Sequence, residues 1–137
     1  MIILAGANNP KSNILDDGIL TALEITRLNW TGTDLVVVSA CESGLGEISS
    51  GEGIYGLKRA ISVAGAKSSL LSLWKVNDLA TAEFMESFYL KLTKGEGKAE
   101  ALANTQTEFR NGDIPEYRHP NVWAAFQLNG DWWQLDF

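Results

Sequence analysis

Four consecutive aliphatic residues, Leu35-Val36-Val37-Val38, give way through Ser39-Ala40-Cys41 to the glycine-rich stretch Glu42-Ser43-Gly44-Leu45-Gly46. A short continuous apolar run bounded by turn residues reads as a strand covered on both faces, the habit of parallel sheets. Open α/β sheets present their reacting groups in the crevice beyond the carboxyl ends of such strands. Cys41, the one cysteine of the chain, stands at that junction. From position alone it has two readings: a nucleophile, or the small buried hydrophobe that free cysteine more commonly is.

The remaining apolar runs alternate between strand and helix periods, which predicts α/β layering. Ile2 to Ala5 reads as a short strand, and Leu20 to Leu28 as a short helix with Leu20, Leu23 and Leu28 on one side. Ser49 and Glu52 have capping-box spacing, ahead of a helical face of Ile54, Leu57 and Ile61 that Gly65 ends. Ser69 to Trp74 is the next expected buried strand. Asn77 or Asp78 caps a long helix whose Phe84, Phe88 and Leu92 form one stripe, stopped by Gly95. A second helix from about Lys98 to Arg110 is expected to turn Ala99, Leu102, Ala103 and Phe109 inward, and Trp123 to Leu128 reads as a last strand. Trp123, Trp132 and Trp133 are expected in the core or over a sheet edge.

At 137 residues the chain suits one domain, residues 1–137, with a core of ordinary size. The net charge of −6 argues against nucleic-acid and anionic-membrane partners, which need clustered Lys and Arg. A single cysteine makes no internal disulfide and no thiolate zinc site, so a reduced, cytoplasmic setting is expected. The apolar start Ile2-Ile3-Leu4-Ala5 lacks a basic flank and breaks at Pro10, unlike a signal peptide. Gly44-Leu45-Gly46 between strand and helix admits nucleotide binding as a minor alternative. Ser49 stands where a third glycine belongs, and no Gly-Lys-Ser/Thr ending follows.

Five segments together carry a family resemblance. Ser39-Ala40-Cys41-Glu42-Ser43-Gly44, Gly51-Glu52-Gly53-Ile54-Tyr55-Gly56-Leu57, Ala64-Gly65-Ala66, Ser72-Leu73-Trp74-Lys75-Val76-Asn77-Asp78 and His119-Pro120-Asn121-Val122-Trp123-Ala124-Ala125-Phe126 resemble successive landmarks of the CHAT domain. This caspase-like cysteine peptidase domain is often joined to tetratricopeptide repeats and is more distantly related to separase. The resemblance runs from Ile2 to about Trp133 and covers the C-terminal part of the family's domain. It implies a caspase-like three-layer α/β sandwich, with a mainly parallel sheet flanked by helices and truncated at its N-terminal side.

By that resemblance Cys41 is the nucleophile that attacks a peptide carbonyl, and its backbone N–H contributes to the oxyanion hole. Such chemistry calls for no cofactor and no metal. It needs a thiolate, normally formed by a neighbouring imidazole. In caspases that histidine lies roughly 50 residues before the cysteine, whereas 40 residues precede Cys41. The family base is therefore expected upstream of Met1 or on another polypeptide. The sole histidine, His119, lies in a His-Pro-x-x-Trp motif that reads as a structural corner.

Asp78 resembles the aspartate of the separase Trp-x-Val-x-Asp motif, which receives a basic substrate side chain; an ordinary helix cap is the competing reading. Ser39 occupies the substrate-binding position, two before the cysteine, where metacaspases and legumain carry an acidic residue. The expected partner is a protein or peptide substrate, with tetratricopeptide repeats in the same or another chain. An inactive interaction module is the alternative. The strand from Leu35 to Ala40, lacking a neighbour on one edge, is expected to promote self-association.

Overall fold

The computed structural model describes residues 2–3, 19–39 and 52–135. Cys41, its glycine-rich loop and Ser49 fall outside these residues. The elements in order are β1 (Ile2–Ile3), β2 (Ile19–Leu20), α1 (Ala22–Ile25), β3 (Val36–Val38), α2 (Glu52–Ala64) and β4 (Ser68–Ser72). They continue with α3 (Asp78–Thr93), α4 (Lys98–Asn111), a 3₁₀ turn (Pro115–Arg118), α5 (Pro120–Trp123) and β5 (Phe126–Gly130).

β1 and β2 form a small antiparallel ladder, Ile2 opposite Leu20. The larger sheet has the order β3-β4-β5. β3 runs parallel to β4, with Val38 opposite Leu71. β5 runs antiparallel to β4, with Ser72 opposite Phe126 and Ser68 opposite Gly130. The fold is thus α/β around a small mixed sheet. The expectation of a mainly parallel sheet does not describe this part of it, because after the long connection through α3, α4 and α5 the chain re-enters beside β4 in the opposite direction, with Phe126 opposite Ser72.

Alternate side chains along the strands point to opposite faces, and two apolar clusters follow from this. On one face Leu70 packs with Phe84, Phe88 and Leu92 of α3, Ala101, Leu102 and Phe109 of α4, and Phe126, with Val37 and Leu128 against them. On the other, Leu71 packs with Ile25, Leu57, Ala60, Ile61 and Ala64, joined by Val36 and Val38. Helices therefore cover both sides of the sheet. Phe84 lies between Phe126, at a ring-centroid distance of 4.3 Å, and Phe109 at 5.1 Å. Burial of each such ring contributes roughly 1.5–3 kcal/mol.

Strand β4, Ser-Ser-Leu-Leu-Ser, is buried throughout, whereas the valines of β3 are only half-buried. Among the described residues β3 is paired on one edge alone, which explains the difference. The Ser68 hydroxyl donates to the Asp34 carbonyl, so a polar side chain is satisfied inside the sheet.

Helix α3 follows the sequence closely. Asn77 takes the cap, its Oδ1 accepting from the N–H groups of Leu79 at 2.9 Å and Ala80 at 3.3 Å, and Phe84, Phe88 and Leu92 form the buried stripe. Three expectations need correction. Helix α1 is one turn long and buries Ile25, leaving Leu23 and Leu28 exposed. Its capping box, Thr21 with Glu24, fixes the start and thereby the phase. Helix α4 turns Lys98, Ala101, Leu102, Thr105 and Phe109 inward, while Ala99 and Ala103 face solvent. Trp123 ends α5 rather than opening β5, and Trp132 and Trp133 stack on each other at 4.4 Å in solvent.

Candidate functional site

The parallel pairing of β3 with β4 determines what meets beyond the carboxyl ends of these strands. Ser39 follows β3 directly and is exposed. At the same end of β4, Leu73 to Asn77 lead into α3, whose first residue, Asp78, is also exposed. The structure thus brings Ser39 and the Asp78 segment to one edge, beyond the carboxyl ends of two neighbouring parallel strands. Cys41, two positions after Ser39, lies outside the described residues.

The segment after β4 is held from three directions. The Leu73 N–H donates to the Ala125 carbonyl at 2.6 Å. Trp74 Nε1 donates to the Asn121 carbonyl at 2.7 Å. Val76 is buried, and Asn77 caps α3. Because Asn77 supplies the cap, the Asp78 carboxylate is not needed for that task. It sits at the first position of α3, where the positive end of the helix dipole favours an anion.

His119 contributes to the architecture of the same edge. Its Nδ1 accepts from the Asn121 N–H at 3.1 Å and caps α5. Trp123 Nε1 returns to the Arg118 carbonyl at 3.0 Å, closing the corner. An imidazole that accepts at Nδ1 carries its proton on Nε2 when neutral, and so offers no lone pair for proton abstraction in this state. Among the described residues, no group of three or more His, Cys, Asp or Glu side chains could hold a metal ion, and no helix is long and apolar enough to cross a membrane.

The model of the CHAT domain family matches residues 1–131. The chain belongs to that family. Two curated relatives of this CHAT chain share its sequence over most of its length. Tetratricopeptide repeat protein 28 of Mus musculus is 30% identical over 112 residues, which is 82% of this chain and 4% of that protein. Tetratricopeptide repeat protein 28 of Homo sapiens is 30% identical over 116 residues, 85% of this chain and again 4% of that protein. The CHAT chain therefore spans a small fraction of the length of the relatives it matches.

Two structural residues of this CHAT domain were not singled out by sequence reasoning. Lys98 is buried, 1% exposed, with Nζ 3.2 Å from the Asp34 carbonyl and 3.7 Å from Asp131 Oδ2. Gln106 Nε2 bonds the carbonyls of Trp123 at 3.1 Å and Phe126 at 3.3 Å, joining α4 to the corner and to β5. A signal for Lys98 existed: it shares helical phase with Leu102, Thr105 and Phe109. Sizeable clefts bordered by described residues lie away from the sheet edge, along the outer groove of α3 and α4. One of about 420 Å³ is lined by Glu83, Phe109, Ile114 and Tyr117, and a neighbour of about 450 Å³ by Glu86, Leu90, Lys91 and Glu108.

Proposed function

We propose that this chain is the nucleophile-bearing part of a CHAT-type cysteine endopeptidase acting on proteins, within a caspase-like three-layer sandwich of which the mixed sheet is one portion. Cys41 is the nucleophile, and its N–H is one donor of the oxyanion hole. Ser39 and Asp78 receive the substrate, with Asp78 facing a basic side chain. The observation that carries this reading is the register of β3 on β4, which sets Ser39 and the Asp78 segment at one edge. The base is a histidine from outside this chain, since His119 has its Nδ1 lone pair engaged in the α5 cap. A cytoplasmic location and tetratricopeptide repeats acting with the domain complete the proposal; the latter rests on the names of the two relatives.

The test is the pH dependence of iodoacetamide alkylation of Cys41, followed in the protein isolated with any sequence and partners it carries in its natural source. An activated thiolate titrates well below the ordinary thiol value of about 8.5. Peptide cleavage that Cys41→Ala abolishes and Cys41→Ser nearly abolishes is the matching expectation. A thiol that titrates at or above the ordinary value, in a protein that cleaves no peptide, refutes the peptidase reading.

The engagement of His119 as a cap also favours a second reading for the chain by itself, an inactive caspase-like module that binds a protein partner. Partner binding that Cys41→Ala leaves unchanged supports it, and partner binding lost with that substitution refutes it. Self-association through the outer edge of β3 accompanies either reading, and strictly monomeric behaviour in light scattering at high concentration excludes it.

A further inference from the structure

We infer that the cleft between the outer faces of α3 and α4 is a docking site for a Lys or Arg side chain of a partner protein, separate from the edge that carries Ser39 and Asp78. The cleft has a floor and a rim of different chemistry. Phe109 and Tyr117 stack at 5.5 Å and form the floor with half-exposed Ile114, an apolar surface of the kind that receives the methylene stem of a long basic residue. Glu83, Asp113 and Glu108 line the same cleft beside this floor. Burial and, to a smaller extent, Glu83 push the Tyr117 hydroxyl up from its ordinary value.

The same wall already holds one basic side chain of this protein. Lys91 Nζ lies 2.6 Å from Glu108 Oε2 and 2.6 Å from Ser87 Oγ, at the boundary of the 420 Å³ cleft with its neighbour. A volume of that size admits a side chain together with its flanking backbone. With Glu108 already paired with Lys91, the carboxylates of Glu83 and Asp113 beside an apolar floor remain to favour a cationic occupant and disfavour an acidic one. This inference goes beyond the peptidase reading and does not depend on it.

The experiment is a titration of the full chain with a fluorescein-labelled peptide carrying Lys-Leu-Arg between glycines, with a Glu-Leu-Glu peptide as comparison. Anisotropy gives affinity, and amide shifts in two-dimensional NMR give location. The basic peptide is expected to bind and to shift the amides of Asp113, Ile114 and Tyr117, and the acidic peptide is not. Glu83→Gln with Asp113→Asn is expected to weaken binding roughly tenfold, while Glu100→Gln, an exposed carboxylate outside the cleft, changes it less than about twofold. Asp113→Asn alone serves if the double variant loses its fold by circular dichroism. Equal affinity for both peptides, shifts confined to other surfaces, no binding up to millimolar peptide, or equal weakening by Glu100→Gln would each overturn the inference. Cys41→Ala is expected to leave binding intact. Loss of binding in that variant would place the peptide at the peptidase edge, against the cleft.

Discussion

Lys98 Nζ lies 3.2 Å from the carbonyl oxygen of Asp34, 64 positions earlier in the chain. The same ammonium faces Asp131 at 3.7 Å, and Asp34 itself pairs with Lys67 at 2.7 Å. One buried cation therefore ties the segment just before β3, the start of α4 and the residue that follows β5.

Lys98→Ala is expected to cost about 3 kcal/mol in urea denaturation, because it leaves a cavity and removes the charge that faces Asp131. Lys98→Met keeps the stem and is expected to cost less than half as much. Equal losses in the two variants would show that the ammonium, not the packing, carries the whole contribution.

Asn77 and Asp78 should separate stability from function. Asn77→Ala removes the acceptor of two backbone N–H groups and is expected to cost about 1 kcal/mol. Asp78→Ala is expected to lower stability by only a few tenths of a kcal/mol, through the helix dipole. If Asp78 receives a basic substrate side chain, Asp78→Ala reduces cleavage after Arg or Lys at least about tenfold while thermal unfolding barely moves. A stability loss at Asp78 as large as that at Asn77 would make it a structural residue.

Two glycines share a left-handed backbone and differ in their surroundings. Gly130 has φ +89°, and a Cβ there would fall onto the Lys67 carbonyl oxygen. Gly95 has φ +87°, with nothing within 4 Å of the same atom. Gly95→Ala is expected to cost about 1 kcal/mol, the conformational penalty alone. Gly130→Ala adds a backbone clash where β5 meets the residue before β4, and is expected to cost at least about twice as much. Chemical denaturation of both variants measures the difference.

The Lys91 ammonium, aided by the Ser87 hydroxyl, holds the Glu108 carboxyl below its ordinary value against the opposing effect of partial burial. A carboxylate with a depressed folded-state pKa stabilises above its unfolded value, about 4.3, and that contribution fades as pH falls through the lower folded value. Wild type and Glu108→Gln are therefore expected to differ in unfolding midpoint at neutral pH and to converge as pH falls below the lowered folded-state value. The difference is small, since the Glu108 side chain is more than half exposed. Tyr117 shifts in the opposite direction, raised by burial and then by Glu83, so it stays a hydrogen-bond donor through physiological pH.

What the sequence determined by itself is whatever a few neighbouring residues encode. Helix α3 was legible along its length: a cap at Asn77 or Asp78, of which the structure takes Asn77, the Phe84, Phe88 and Leu92 stripe at helical spacing, and Gly95 past the end. So were α2 through Leu57, Ile61 and Gly65, and the family, through motifs in fixed order. The tertiary structure decided what depends on distant partners. Among the described residues β3 pairs on one edge alone, and its half-burial goes with that place in the sheet order rather than with its valines. The complete burial of β4 rests on strands at both its edges, with the Ser68 hydroxyl satisfied by the Asp34 carbonyl. The antiparallel return of β5 and the satisfaction of the buried Lys98 ammonium likewise needed partners far along the chain, Ser72 and Asp34 among them. The approach of Ser39 and the Asp78 segment belongs to the same class. Each residue lies in its own local motif, and only the parallel register of β3 on β4 sets both at one edge. Caps and periodicity act within a turn or two of backbone; strand order and buried polar satisfaction depend on where the rest of the chain comes to lie.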